Sequence, residues 1–90
     1  MTFEWDSTKA RRNLRKHGIS FEEAMTVFGD PLAQSYDDPE DLSPEQRLIT
    51  IGLSDRYRLL VVVHCERGER IRIISARRAT RREVRSYEEG

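Results

Sequence analysis

Cysteine is nearly missing: Cys65 is alone, so the chain can form no internal disulfide and cannot supply a cysteine metal cage, which fits a reducing compartment and a thiol buried as a small apolar group. Long apolar runs are missing too. The longest, Leu59 to Val63, is far below the roughly 18 residues of a membrane helix, and the first residues are acidic where a secretory leader would be basic. The expectation is a cytoplasmic protein with no membrane partner. There is no phosphate loop, no nucleophile elbow and no cluster of Cys and His at metal-ligand spacing, so neither a metal nor another cofactor is expected. Aromatics make up only 8% of the residues, yet the apolar side chains gather into short periodic blocks, which is the pattern of a folded chain. With 90 residues there is material for one core, hence one domain over 1–90.

The net charge of zero conceals a segregation. Residues 21 to 46 hold eight acids and no Lys or Arg, whereas residues 47 to 90 hold eleven arginines, six acids and no lysine. Arginine is a planar, permanently charged fork that grips phosphate oxygens in pairs, so its use at every basic position of the C-terminal half points to a polyphosphate partner. The alternative is a solvated, salt-bridged surface.

Local patterning predicts the element order β-α-α-β-β-β-β-α, an α+β domain with a mostly antiparallel sheet and helices packed on it. Phe3 to Trp5 reads as a short strand. Asp6 caps a helix from Ser7 to His17 that Gly18 closes, with Ala10, Leu14 and His17 on one face. Ser20 and Glu23 form a capping box for a second helix, whose Phe21, Ala24, Met25 and Phe28 recur at helical spacing up to Gly29. The period then becomes extended: Leu32 to Tyr36, Leu48 to Gly52, Arg58 to Cys65 and Arg70 to Ala76 are strands, with a surface loop over Asp37 to Gln46 and a tight hairpin at Arg67 and Gly68. Because Leu59 to Val63 lacks polar alternation, it is a central strand covered on both faces. A last helix over Thr80 to Glu88 turns Val84 and Tyr87 inward.

Three groups of residues can carry chemistry. The first is the arginine-rich end, with Arg70 and Arg72 on one face of the last strand, Arg77 and Arg78 just beyond it, and Arg81, Arg82 and Arg85 on the helix. Together with Arg47 these are candidate phosphate contacts, unless they pair with Glu66, Glu69, Glu83 or Glu88. The second is Arg58, His64 and Glu66, of one parity on the central hairpin. RNA is cut by its own 2'-hydroxyl when a base takes that proton and a cation steadies the phosphate; arginine can clamp but not act as base, and His64 can be either a base or a structural hydrogen-bonder. The third is Asn13, Lys16 and His17, neighbours at three- and four-residue spacing, where His17 either closes the core edge or serves as the base.

Specific strings go further. Glu4-Trp5-Asp6 with Lys9, Asn13-Leu14-Arg15-Lys16-His17-Gly18, Ser20 to Ala24, Asp30-Pro31, Ile49 to Gly52 and Ile71 to Glu83 ending at Tyr87 resemble the BrnT family from end to end. The resemblance implies a RelE-like fold and a toxin that blocks translation by cleaving RNA without a metal. Its implied partner is a BrnA-type antitoxin that binds DNA, so that the complex represses its own operon. RelE-like sites lie on the open sheet face and use arginines; here the matching positions are Arg58 and Arg77, expected to bind phosphate rather than hold the fold, with His17 and His64 as the histidines. The antitoxin is expected to cover the basic sheet face. The rival readings are a non-catalytic RNA- or protein-binding module and a small DNA-binding repressor.

Overall fold

The computed structural model describes residues 1–40 and 45–90. Its elements are β1 (Thr2–Glu4), α1 (Ser7–His17), α2 (Phe21–Thr26) running into a 3-10 turn (Val27–Gly29), β2 (Gln34–Asp37), β3 (Arg47–Leu53), β4 (Leu59–Arg67), β5 (Arg70–Arg78) and α3 (Arg81–Glu89). The predicted order holds. Strand ends shift by up to two residues, and of the expected loop over Asp37 to Gln46, Asp37 closes β2 while residues 41–44 lie outside the described residues.

The ends of α1 are fixed by the residues expected to fix them. The Asp6 carboxylate accepts hydrogen bonds from the backbone N–H of Thr8 (2.8 Å) and Lys9 (3.1 Å), and the Lys9 bond and then the Thr8 bond hold that carboxyl below its ordinary range. Gly18 ends α1 at φ 71, a left-handed conformation that a side chain would strain. Thr80, expected as the first residue of the last helix, instead caps it and closes a complete capping box with Glu83. At α2 the box is only half made: the Ser20 hydroxyl accepts from Glu23 N–H (3.0 Å), but the Glu23 side chain turns into the protein instead of back to the cap.

The five strands lie in the order β1-β5-β4-β3-β2, antiparallel except that β1 runs parallel to β5. One face carries Leu60, Val62, Ile73 and Ala76 against Ile19, Phe21, Ala24 and Val27, which is the main core beneath α1 and α2. The sheet comes so close to the 3-10 turn that a Cβ at Gly52 would sit 2.7 Å from Val27 Cγ1. On the other face Ile51 and Val61 are buried as well. Gln34 pairs with Ile51 and Arg77 with Val61, and both reach α3: Gln34 Nε2 donates to the Tyr87 carbonyl (3.4 Å) and Arg77 binds Glu83. α3 therefore lies across that face, and the central strand is covered twice, as its unbroken apolar run demands. Asp30 fixes the arrangement, accepting from Tyr87 Oη (2.6 Å) and Leu53 N–H (2.8 Å), with the result that the Tyr87 hydroxyl is pushed up to about 12.

The face of α1 differs from the expected one. Leu14 is half exposed, and the buried residue is Asn13. β1 pairs only with Arg70 to Arg72, which leaves the outer edge of β5 without a strand further along. Asn13 fills that place: its Nδ2 donates to Ala76 O (2.8 Å) and Ile19 O (2.9 Å), while its Oδ1 accepts from Ala76 N–H (3.0 Å). A single amide thus satisfies both backbone groups of an edge residue as a strand would, which no apolar side chain could do.

Candidate functional site

The two histidines part company in the structure. His64, 1% exposed, lies under the helices with its ring edge-on to Phe28 (centroids 4.9 Å apart) and its Nε2 2.8 Å from Thr50 Oγ1, which in turn meets Ser35 Oγ at 2.7 Å. Its Nδ1 has no partner among the described residues, and burial pushes its pKa below the ordinary histidine value. The ring is sealed from the surface in this structure and lies apart from the exposed cations. Its contact with Thr50 is of the kind that the structural alternative for this histidine expects.

Arg58 is also claimed by the fold. Its Nε donates to Glu23 Oε2 at 2.9 Å and its Nη2 makes a second, very close contact with Glu23 Oε1. The same carboxylate accepts from the Ser54 hydroxyl (2.7 Å), and the Arg58 bond first holds Glu23 below the usual glutamate range. Glu23 is 5% exposed, so Arg58 neutralises a buried charge and is tied into the fold as well as being a candidate for phosphate. Arg77 lies on the α3 side of the sheet and grips Glu83 with both Nη atoms (2.8 and 2.9 Å), which brings Glu83 down to about 2.

A concave cationic surface forms elsewhere, between α1 and the far stretch of the sheet. One depression is lined by Lys9, Arg12, Asn13, Lys16 and His17 of α1 with Ile74 and Ser75 of β5. A second continues from it, sharing Lys9 and Ile74 and adding Glu45, Arg47, Cys65, Arg67 and Arg72. The groove is positioned by two local causes. Lys9, Arg12 and Lys16 recur every three or four residues, so one helical face presents them all. The ladder between β4 and β5 slips at Val63 and His64, which lets Ile74 and Ser75 both reach the groove.

Six cations and a histidine line this groove against one carboxylate, Glu45, and that carboxylate is held by Arg67 (Nη2 to Oε2, 2.8 Å). Arg72 donates to Glu4 Oε2 at 2.9 Å, and Arg70 stands 3.5 Å from the same carboxylate. Lys9, Arg12 and Lys16 make no ion pair among the described residues. The structure thus joins the helix group of His17 and Lys16 to the strand group of Arg47 and Arg72. It leaves Arg78, Arg81 and Arg82 outside the groove, exposed at the junction of β5 and α3. Sequence reasoning missed Lys9 and Arg12 as site residues, although their spacing with Lys16 was the signal.

Among the described residues no group of His, Cys, Asp or Glu is placed to hold a metal ion, and no helix is long and apolar enough to cross a membrane. The sequence profile of a family described as the ribonuclease toxin BrnT of type II toxin-antitoxin systems matches residues 5–83. Among solved structures, the 1.1 Å crystal structure of the Brucella abortus ribonuclease toxin BrnT matches with a TM-score of 0.70 and 26% sequence identity, over 90% of this chain and 99% of that one. No curated protein matches the chain.

Proposed function

Since the chain belongs to the BrnT family of ribonuclease toxins of type II toxin-antitoxin systems, we propose that the groove between α1 and β5 is where it holds and cuts RNA, by a metal-independent, RelE-like transesterification. The observation that carries this reading is the continuity of the two depressions through Lys9, which sets His17 among cations that a phosphate backbone can bridge. In the proposed step a base removes the 2'-hydroxyl proton, O2' attacks phosphorus, and the bond to O5' breaks as that oxygen takes a proton from water, leaving a 2',3'-cyclic phosphate and a 5'-hydroxyl. The charge gathering on the phosphate oxygens is met by Lys9, Lys16 and Arg72, and His17 is the imidazole within the groove. Arg47 belongs to the same surface. Arg70, Arg78, Arg81 and Arg82 serve, in this reading, to bind flanking phosphates.

The partner antitoxin is proposed to be BrnA-type and to bind DNA, so that the complex represses its own operon. A polybasic concavity is neutralised most simply by an acidic or helical segment laid into it, which speeds association and excludes RNA together. Such a partner acts in the cytoplasm, where the RNA is.

The test uses purified protein and a short RNA in the presence of EDTA, with the product ends identified by mass. Cyclic phosphate ends that disappear on adding antitoxin are the expected result. His17→Gln should slow cutting by about 100-fold or more with its melting temperature kept, the usual size of the effect when a proton-transfer group is removed. RNA that is bound and never cut, by wild type and variant alike, makes the protein a binding module instead.

A further inference from the structure

Tyr57 has no place in the groove, the core or the clasp around Glu23, yet it is the most exposed of the large apolar side chains among the described residues, at 84%. Its ring and hydroxyl meet no partner among those residues, and its backbone is the one non-glycine position among them with positive φ, at 60°. Asparagine or glycine would occupy that conformation with less strain.

The turn that displays it is anchored with unusual thoroughness. Tyr57 N–H donates to Ser54 O (2.9 Å) and Ser54 N–H to Arg58 O (2.9 Å). The buried Ser54 hydroxyl accepts from the N–H of Arg56 (3.2 Å) and Arg58 (3.3 Å) while donating to Glu23. Thr26 Oγ1 of α2 accepts from Asp55 N–H at 2.9 Å. A rigid turn thus carries one aromatic ring into solvent.

The exposed side chains beside Tyr57 in the turn are Asp55 and Arg56. Arg56, beside it, is 70% exposed and comes no nearer than 4.0 Å to Glu23. The chain at Arg78 and Ala79 is tied to the start of β4, where Arg78 pairs with Leu60 and Ala79 N–H donates to Leu59 O (2.9 Å). Leu59, where β4 begins, follows Tyr57 by two residues at the end of the same turn. Arg78, Arg81 and Arg82 are exposed there and have no carboxylate partner among the described residues. β5 runs from the groove residues Arg72 and Ser75 to this same junction.

We infer that Tyr57 is a stacking platform for a nucleobase of the RNA whose backbone leaves the groove along β5, and that Arg56 and Arg78 grip the neighbouring phosphates. An aromatic face flanked by arginines, on a backbone already held still, is how single-stranded nucleic acid is gripped at low entropic cost. A protein anchor would sit within an apolar patch with a polar rim. Here the flanking residues are Asp55, Arg56 and Arg58. The inference rests on the ribonuclease reading and adds a determinant of which position is cut.

Tyr57→Asn removes the ring but suits the left-handed backbone, and Tyr57→Phe keeps the ring. Cleavage of a set of short RNAs, and quenching of a single 2-aminopurine placed in turn along one of them, are measured for both variants and for wild type. Tyr57→Asn should lose roughly tenfold to hundredfold in cleavage efficiency, blur the choice of site and abolish quenching at one position, with melting unchanged or raised. Tyr57→Phe should match wild type in every respect. An Asn variant that cuts the same RNAs at the same sites and rates overturns the inference, as does one that cuts normally and fails only to bind antitoxin. Wild-type protein that quenches through Tyr57 but cuts no RNA overturns the ribonuclease reading and keeps the stacking contact.

Discussion

The clasp around Glu23 and the groove beside Lys9 are built from the same kind of side chain and do opposite things with it. In the clasp, Arg58 meets a carboxylate that is almost fully buried, and the helix α2 and the turn after β3 are thereby locked together. In the groove, cations outnumber the one lining carboxylate and stay at a surface. The difference teaches that arginine content marks a phosphate site only where the carboxylates are engaged elsewhere. Arg77 illustrates the point, since Glu83 holds it as Glu23 holds Arg58.

The comparison breaks most visibly at Arg58. Arg58→Ala leaves the Glu23 carboxylate buried without its cation, and calorimetry should show the melting temperature falling by more than about 10 °C. A variant that melted like wild type while failing to cut RNA would move Arg58 from the clasp to the site. A smaller effect of the other kind is expected in the groove. Lys9→Ala combined with Lys16→Ala should weaken RNA binding and flatten its salt dependence by about 0.7 in logarithmic slope for each phosphate no longer neutralised, while melting stays within about 4 °C of wild type. An unchanged salt slope would place the RNA elsewhere.

The smallest effect is a pH dependence. Burial lowers the folded pKa of His64, so the unfolded chain takes up that proton first as the pH falls below about 6.5. The stability it contributes is therefore full above that pH and declines below it, toward the lower folded value. Melting followed from pH 7.5 to 5 should drop by a few degrees more for wild type than for His64→Gln. Parallel curves would mean that the ring is not sealed. The Arg77–Glu83 pair contributes its own loss only further down, from about 4.5 to about 2, where the Glu83 carboxyl finally takes a proton.

Much of the fold is legible in the amino-acid sequence by itself. The caps at Asp6 and Gly18, the two-residue alternation of Arg70 and Arg72 against Ile71 and Ile73, and the doubly covered strand at Leu59 to Val63 are local or nearly local facts. They depend on backbone hydrogen bonds within one turn and on which side chains avoid water, and the sequence states both. The BrnT strings added the family. What sequence could not state is which distant groups would meet. Whether Arg58 faces RNA or Glu23, whether His64 faces water or Phe28, and whether Asn13 or Leu14 points inward depend on partners 14 to 63 residues away. A charge or an amide has no intrinsic side. Its place is set by the nearest complementary group once the sheet has formed, so composition and periodicity determined the elements, and tertiary packing decided which of the cations and which histidine were left for the groove.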